Sequence, residues 1–477
     1  MPMSAPTAYG HEIRTDLGTI RGALAEASTT PFWLDNPDRP DPRGAVSGRV
    51  STDLLVVGGG FAGLWTALIA KERDPKRRVV LVEGNRIGWA ASGRNGGFCE
   101  ASLTHGPENG ELHFADEMPV LNRLADENFA EIRAAIERYG IDAEWEETGV
   151  LTVATEPHQI RWLREAAEHS ANETFLEGES LRERGNSPLY RAGMFGTDGV
   201  AYVNPAKLAW GLAAAAERLG VEISEHTRVT RLRTDGDVMV AQTAHGEIRA
   251  SRVALATNVF ASLLPELRLF TVPIYDYVLM TEPLSADQLA AIGWTERHGI
   301  TDSSREFHYY RKSSDNRILF GGYDAVYHRG RRVKAAQDQR PETFERLADH
   351  FYSTFPQLSG IRFSHKWGGA IDMSTQLVAF HGSARGGRVA YSAGYTGLGV
   401  GATRFGADVM LDLLEGRETD RTRLKMSRRL PIPIPPEPLA YPLIQMMRRA
   451  VAKSDRNGGK DGPLLKLAGL FGVGFDS

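Results

Sequence analysis

Between Asp53 and Glu83 the chain runs DLLVVGGGFAGLWTALIAKERDPKRRVVLVE, and few folds accommodate that order of residues. The apolar stretch from Leu54 to Val57 predicts a buried strand. It enters Gly58-Gly59-Gly60-Phe61-Ala62-Gly63 and continues as a helix marked by Leu64, Ala67, Leu68 and Ala70. A second apolar strand, Val79 to Val82, ends on Glu83. Strand, GxGxxG turn, helix, strand and acid, in that order, make a dinucleotide-binding unit. Gly58 permits the tight turn, Gly60 removes a Cβ where a pyrophosphate must approach, and Gly63 lets the helix pack close to its strand. Phe61 and Ala62 open that helix, whose unpaired N–H groups and partial positive charge suit phosphate. Glu83, twenty residues beyond Gly63, stands where an acid accepts hydrogen bonds from ribose hydroxyls.

The bulk numbers are compatible with this unit and narrow its setting. A length of 477 residues leaves room for two or three domains. Fifty glycines suit a nucleotide-binding α/β protein better than a helical bundle. A net charge of −4 gives no reason to expect nucleic acid. One cysteine, Cys99, rules out an internal disulfide and cysteine-based metal clusters, and no His/Asp/Glu group has metal-ligand spacing. The N-terminus has no apolar signal core, and no run is long and apolar enough to span a bilayer. The expectation is a soluble, cytoplasmic protein.

Along the chain, the character alternates. Residues 1–48 are polar and proline-rich and read as an arm laid over a domain. Residues 115–140 repeat apolar positions at helical spacing, 149–155 read as a strand, and Asn204-Pro205 opens a helix that Gly220 ends. Ser313-Ser314-Asp315-Asn316 separates two strand-like runs as a hairpin would. Residues 388–416 form a second strand–glycine loop–helix unit. From Pro431 a stiff proline-rich spacer leads to a short basic amphipathic segment, expected to dock on its own chain. The predicted fold is α/β. A discontinuous Rossmann-like dinucleotide-binding domain takes residues 49–110, 200–268 and 364–420. A second, mixed-sheet substrate domain takes 111–199 and 269–363, and 421–477 form a tail.

A GxGxxG unit does not by itself separate NAD from FAD. After Glu83 comes GNRIGWAASGRNGG, in which Ser92, Arg94, Asn95, Gly96 and Gly97 make a small polar loop able to lie against a flat ring, with Arg94 offering a fork for phosphate or a ring carbonyl. Together with VVGGGFAGLWTA, HTRVTRL, VALATN, YDYVLMTEPL, YYRKSSDNRILFGG, WGGAID and GYTGLGVGATRFGA, this loop resembles the D-amino-acid-oxidase-like flavoprotein family, in particular its gamma-glutamylputrescine oxidase-like branch. The resemblance runs over roughly residues 30 to 420. It implies FAD with its adenosine end on Gly58–Gly63 and Glu83, Val229 contacting adenine through its backbone, and the ring where Arg94–Gly97 meet Gly394, Thr396, Gly397, Leu398 and Gly399. The helix after Gly399 would point its dipole at the ring edge that becomes negative on reduction. No histidine lies in the Gly88–Gly97 loop and Cys99 falls outside the region of cysteinyl attachment, so noncovalent FAD is expected.

The implied reaction oxidises the C–N bond of an amine or N-substituted amino acid. The imine then gives a carbonyl compound and an amine or ammonia, and dioxygen is reduced to hydrogen peroxide. A dehydrogenase passing electrons to a quinone or carrier protein stays open on the same scaffold, as does a flavin-binding protein without turnover. Candidate substrate contacts are Tyr275 and Tyr277 on one strand face, with Asp276 on the other, and Tyr309 and Arg311 sharing a face of a later strand. Aromatic faces with a carboxylate suit an ammonium group, and Arg311 suits a substrate carboxylate. Trp367 is expected to wall the flavin cavity, Lys366 to assist oxygen reduction as a nearby cation, and Tyr395 to stand among the catalytic groups.

Overall fold

The apolar strand Gly48–Val57 lies at the centre of a parallel array. In a computed structural model that describes residues 7–10 and 12–470, it is flanked by Val79–Val82 on one side and Gly246–Leu255 on the other, all parallel. Val221–Ser224 extends the array beyond Val79–Val82, and Val389–Ala393 with the antiparallel Phe380–Ala384 extends it past Gly246–Leu255. The two-stranded meander Arg231–Asp235 and Val238–Gln242 completes an eight-stranded sheet. Leu54, Val56, Val79 and Leu81 turn to the helix Phe61–Arg73, while Leu55, Val57, Val80 and Val82 turn to the opposite face. Both faces are covered, as the continuous apolar runs require. Arg73 fastens the helix Phe61–Arg73 to the helix Gly399–Glu415 through Asp408 at 2.6 Å, Asp412 at 2.8 Å and Glu415 at 3.2 Å.

A second sheet of nine strands stands against the first. Its strand Val272–Thr281 pairs with Ile318–Gly322, and that strand pairs with His308–Lys312. The hairpin expected at Ser313–Asn316 joins these last two: Ser313 N donates to the Arg317 carbonyl, and Asn316 takes a left-handed φ of 62°. Helices expected near 115–140 and after Asn204 form as Met118–Tyr139 and Pro205–Arg218. The second is capped by the Asn204 side chain on Lys207 N and is followed by Gly220 at a φ of 88°.

Two segments differ from expectation. The strand Phe363–Met373, placed by sequence in the nucleotide domain, pairs antiparallel with Val272–Thr281 along nearly its whole length and so belongs to the second sheet. The chain crosses to the first sheet only at Phe380. The N-terminal arm is also more than a cover. It forms a helix, Leu17–Leu24, and a turn, Phe32–Leu34, and Ile20 and Trp33 are both core residues. The Trp33 indole donates to the Asn95 carbonyl at 3.0 Å and packs with Phe61 and Trp65 in the interior.

Trp33→Ala would leave a large cavity and an unpaired carbonyl. Urea denaturation is expected to show a loss of about 3–5 kcal/mol, where removal of a mere surface arm would cost close to nothing.

Candidate active site: two glycine corners facing a second sheet

The first corner is built by close backbone approach. Gly58 adopts a φ of 120°, and a Cβ there would stand 2.3 Å from the Ala256 carbonyl oxygen. A Cβ on Gly63 would stand 1.9 Å from the Gly58 oxygen, so the helix rests directly on its strand. At Gly60 a Cβ would come 2.9 Å from the Ser92 hydroxyl, and that hydroxyl accepts from Phe61 N at 2.9 Å at the mouth of the helix. Glu83 lies beneath the turn. Its Oε2 accepts from Gly59 N at 2.7 Å, and its Oε1 accepts from Asn85 N at 2.8 Å and the Trp89 indole at 2.9 Å. A carboxylate offers about four acceptor positions, so these donors leave capacity for a ribose hydroxyl. The Glu83 carbonyl accepts from Thr227 N, which brings the segment of Val229 alongside; Val229 itself is buried in the core beneath.

The second corner follows Val389–Ala393. Gly394, Thr396 and Gly397 all take left-handed φ values, of 78°, 49° and 101°, and Leu398 N closes the turn on the Tyr395 carbonyl. Gly399 then starts a 17-residue helix. The turn is held from below by Asp372, a buried carboxylate whose Oδ2 accepts from Gly394 N at 2.6 Å. Burial pushes its pKa up to about 6, against the opposing pull of the Gly394, Tyr395 and Thr396 amides. From above, the imidazole Nε2 of His105 meets the Thr396 carbonyl, and burial holds that imidazole below its ordinary pKa, in the neutral form. Neither Asp372 nor His105 was singled out from the sequence. Asp372 closes the motif WGGAID and His105 lies eight residues beyond Gly97, but only the fold brings them to this turn.

Between the corners lies the loop Ser92–Gly97. Arg94, expected to be a free fork, is already engaged: Nε donates to the Trp89 carbonyl at 2.9 Å, and Nη1 donates to Asp338 at 2.6 Å and to the Gly368 carbonyl at 3.0 Å. Asn95 braces its own loop, donating to the Ala91 carbonyl and accepting from Gly97 N. Gly96 and Gly97 are small because Tyr309 and Arg311 of the second sheet and the neighbouring Val203 backbone press on them. A Cβ on Gly96 would meet the Tyr309 ring at 2.7 Å, and one on Gly97 would meet the Val203 carbonyl oxygen at 2.2 Å.

The face of the second sheet turned toward this loop carries Asp276, Val278, Tyr309, Arg311 and Trp367. Trp367 donates its indole N–H to the Arg94 carbonyl at 2.9 Å, and Gly369, cross-strand from Asp276, faces the Arg94 side chain. Tyr309 lies between Gly96 and Gly321 and donates its hydroxyl to Asp276 Oδ2 at 2.5 Å. Asp276 also accepts from Tyr277 N at 2.8 Å, and burial raises its pKa to about 6.

Four expected contacts lie elsewhere. Tyr275 and Tyr277 occupy the opposite face of their strand, in a core formed with Ile20, Leu24 and Phe344, and their hydroxyls meet Gln337. Lys366 points to that same outer side, donating to the Leu24 carbonyl at 2.8 Å, because it alternates with Trp367 along one strand. Tyr395 is buried under the second corner with its hydroxyl 2.5 Å from Ser392, so no part of it is presented to a substrate. Arg311 faces the right way but is 1% exposed. Its Nη1 donates to the Gly97 and Val203 carbonyls at 3.1 and 2.9 Å, and its guanidinium lies 5.4 Å over Trp33 and 5.2 Å over Tyr202. It clamps the loop to the sheet and is closed to a substrate carboxylate. Cys99 is buried, with its thiol pushed up and neutral.

A cavity opens at the carboxyl ends of the parallel strands, lined by Leu255, Asn258, Phe260, Phe380 and Tyr391. Asn258 has a left-handed φ of 48°, and its buried Oδ1 has no hydrogen-bond partner. Ligands of parallel α/β sheets bind at such ends. Crowded glycines, spare capacity on Glu83 and an unpartnered acceptor on Asn258 all suit a dinucleotide. Among the described residues no group of His, Cys, Asp or Glu could hold a metal ion, and no helix is long and apolar enough to cross a membrane.

The geometry defines a dinucleotide-binding oxidoreductase scaffold with a second sheet closing over it. The family model for FAD dependent oxidoreductases, DAO, matches residues 53–413, and the chain belongs to that family, whose cofactor is a flavin. Gamma-glutamylputrescine oxidoreductase of Escherichia coli K12 is 30% identical over 397 residues, covering 81% of this chain and 89% of that protein. Sarcosine oxidase subunit beta of Rhizobium meliloti is 25% identical over 379 residues, covering 74% and 80%. Among solved structures, the amino acid oxidase NikD in its open form matches with a TM-score of 0.65 at 19% identity over 81% of this chain and 99% of its own. Glycine oxidase from Geobacillus kaustophilus matches with a TM-score of 0.63 at 22% identity over 78% and 96%. The chain is thus an enzyme of the FAD-dependent amine and amino-acid oxidoreductases.

Gly63→Ala tests the first corner. The added methyl cannot clear the Gly58 oxygen, so the helix must shift and flavin retention is expected to fall by roughly tenfold or more, read as visible absorbance per protein. Unchanged flavin content would show that this contact does not set the site.

Proposed function

We propose that the protein oxidises the C–N bond of an amine or N-substituted amino acid, with a long amine of the gamma-glutamylputrescine kind as the substrate class and dioxygen as the electron acceptor. Noncovalent FAD, when bound, supplies the two-electron oxidation. The amine loses a hydride equivalent from its α-carbon and a proton from its nitrogen. Water hydrolyses the imine to a carbonyl compound and ammonia or an amine, and dioxygen takes the two electrons and two protons to give hydrogen peroxide. Gly58–Gly63 and Glu83 hold the adenosine and pyrophosphate end, with the Val229 backbone beside the adenine. Ser92–Gly97 and Gly394–Gly399 take the ring, with Trp367 as the wall behind Arg94.

Asp276 is the observation that carries the proposal. It is the carboxylate on the inner face of the second sheet beside Tyr309, opposite the loop that receives the ring. Its ionised form accepts a hydrogen bond from the amine nitrogen and so orients the α-carbon, while Tyr309 holds the carboxylate in place. A desolvated cleft favours the neutral amine needed for oxidation.

A second reading of the acceptor draws on Lys366. With that cation turned to the outer face, the charge expected to assist oxygen is not beside the ring, which favours transfer to a quinone or carrier protein. Peroxide yield in air, compared with dye reduction under nitrogen on a panel of amines, separates the two. Peroxide matching substrate consumed supports the oxidase. Fast dye reduction with little peroxide supports the dehydrogenase. Failure of every amine to bleach the flavin would remove both.

Asp276 also sets a pH dependence. Below about 6 its carboxyl is protonated and can no longer act purely as an acceptor. On that acid limb kcat/KM is expected to rise about tenfold per pH unit until the carboxylate is ionised. Asp276→Asn should lower kcat/KM by roughly 10–100-fold and lose the limb at about pH 6 while keeping its flavin.

A further inference from the structure

The chain beyond the family-matched region ends in a tail whose two sides are chemically opposite. The proline-rich run from Pro431 and the helix Ala440–Arg456 lie on the second sheet and are held there by specific contacts. Arg331 donates to the Ile434 and Pro435 carbonyls at 2.7 and 2.9 Å, and Arg448 pairs with Asp324 at 2.8 Å. The three acids between residues 428 and 470 are partly buried and bonded to their own chain. Glu437 accepts from the Tyr327 hydroxyl at 2.7 Å, Asp455 from the backbone N–H groups of Arg305 and Glu306, and Asp461 pairs with Arg305. Every exposed charged side chain in that stretch is therefore basic, from Arg428 and Arg429 to Lys466, in a chain whose net charge is −4.

The outward side is also apolar. Leu439, Leu443 and Met446 follow at i, i+4 and i+7 and are 63%, 37% and 46% exposed, while Leu430 and Ile432 stand exposed on the preceding run. Along the same outward face the helix continues with Arg449, Lys453 and Arg456, all exposed. The helix has a separate inward side, carrying Ala440 and Ile444, that already packs on its own chain. The outward apolar residues are therefore surplus to the fold.

We propose that this face docks on a bilayer surface bearing anionic phospholipids. Leucine and methionine side chains would enter the headgroup boundary, and the basic residues would pair with lipid phosphates, as interfacial amphipathic helices do. A symmetric pairing of two copies through this face fits less well, because a patch whose exposed charges are all basic offers its own copy no acidic partners. The inference rests on the tail alone and is independent of the substrate and acceptor.

Flotation of the flavin-loaded full chain with phosphatidylcholine–phosphatidylglycerol vesicles, and with phosphatidylcholine vesicles alone, tests it. The protein is expected to float with the anionic vesicles only, and less so as salt rises. Leu443→Glu with Met446→Glu should abolish flotation, and Lys453→Glu with Arg456→Glu should weaken it roughly tenfold or more. These positions are exposed, so flavin content and melting temperature should stay as in the parent. Absence of flotation at low salt would overturn the proposal. So would equal flotation with neutral vesicles, insensitivity to both double variants, or a concentration-dependent dimer in sedimentation that Leu443→Glu abolishes.

Discussion

The contact between Gly63 and the Gly58 carbonyl is the constraint from which the rest of the molecule takes its position. With no Cβ between them, the helix Phe61–Arg73 lies directly on the central strand, and its N-terminus opens where Gly59, Gly60 and Glu83 meet. That closeness fixes the height of the helix above the sheet. Arg73 then transmits the position to the helix of the second corner through three carboxylates. The two glycine corners are thus not independent sites that happen to face one cofactor. Their helices are bolted together on the same side of one sheet, so a shift at the first corner is felt at the second.

Much of this was legible locally. The order of strand, glycines, helix and acid in 53–83 requires no distant partner to be recognised, and Gly58 and Gly63 make the tight turn and the close helix–strand contact that their spacing implies, with Glu83 bonded to Gly59 N beneath. What the sequence does not carry is the absolute face of a strand. Alternation correctly sets Tyr275 with Tyr277 and against Asp276, and Tyr309 with Arg311. Which of those faces meets the nucleotide loop depends on what packs from outside, here the helices Leu17–Leu24 and Pro341–Thr354. An aromatic pair and a carboxylate look equally suited to a substrate until that is known. The same parity separates Lys366 from Trp367. The placement of 363–373 failed for a related reason: its strand pairing is with residues some ninety positions earlier, and no short-range pattern records it.

The buried charges follow a common logic. Arg311 has no carboxylate partner among the described residues. Burial lowers its pKa to about 10, so it remains a cation at neutral pH. It is tolerated because two carbonyls accept from it and the faces of Trp33 and Tyr202 stand close to it. Asp372 is its mirror image, an acid held beneath a turn by backbone amides. Each ties a loop that must be small-residued and precisely shaped to a strand of the second sheet. Removing either side chain would leave a backbone group, the Val203 carbonyl or the Gly394 N–H, without its partner in a dry interior, which is costly. This explains why charged groups sit where apolar ones would pack more easily. The loops they hold offer few side chains of their own, since Gly96, Gly97, Gly394 and Gly397 have none to bury.

This division of labour also bears on Arg94 and Arg311, both of which the motifs offer as ligands for anions. Each is instead engaged by the protein, Arg94 by Asp338 and two carbonyls, Arg311 by two carbonyls. A guanidinium already bonded within its own fold gains little from a substrate carboxylate, because it must give up existing partners to take the new one. With both cations so engaged, the inner face of the second sheet presents an acceptor, Asp276, and an aromatic, Tyr309, without an exposed positive charge from either arginine. On the proposed reading, a face of that composition would discriminate by the nitrogen end of its substrate. It would have little means of demanding a carboxylate next to the reacting carbon, which is the chemistry that would separate an amine from an α-amino acid on such a scaffold.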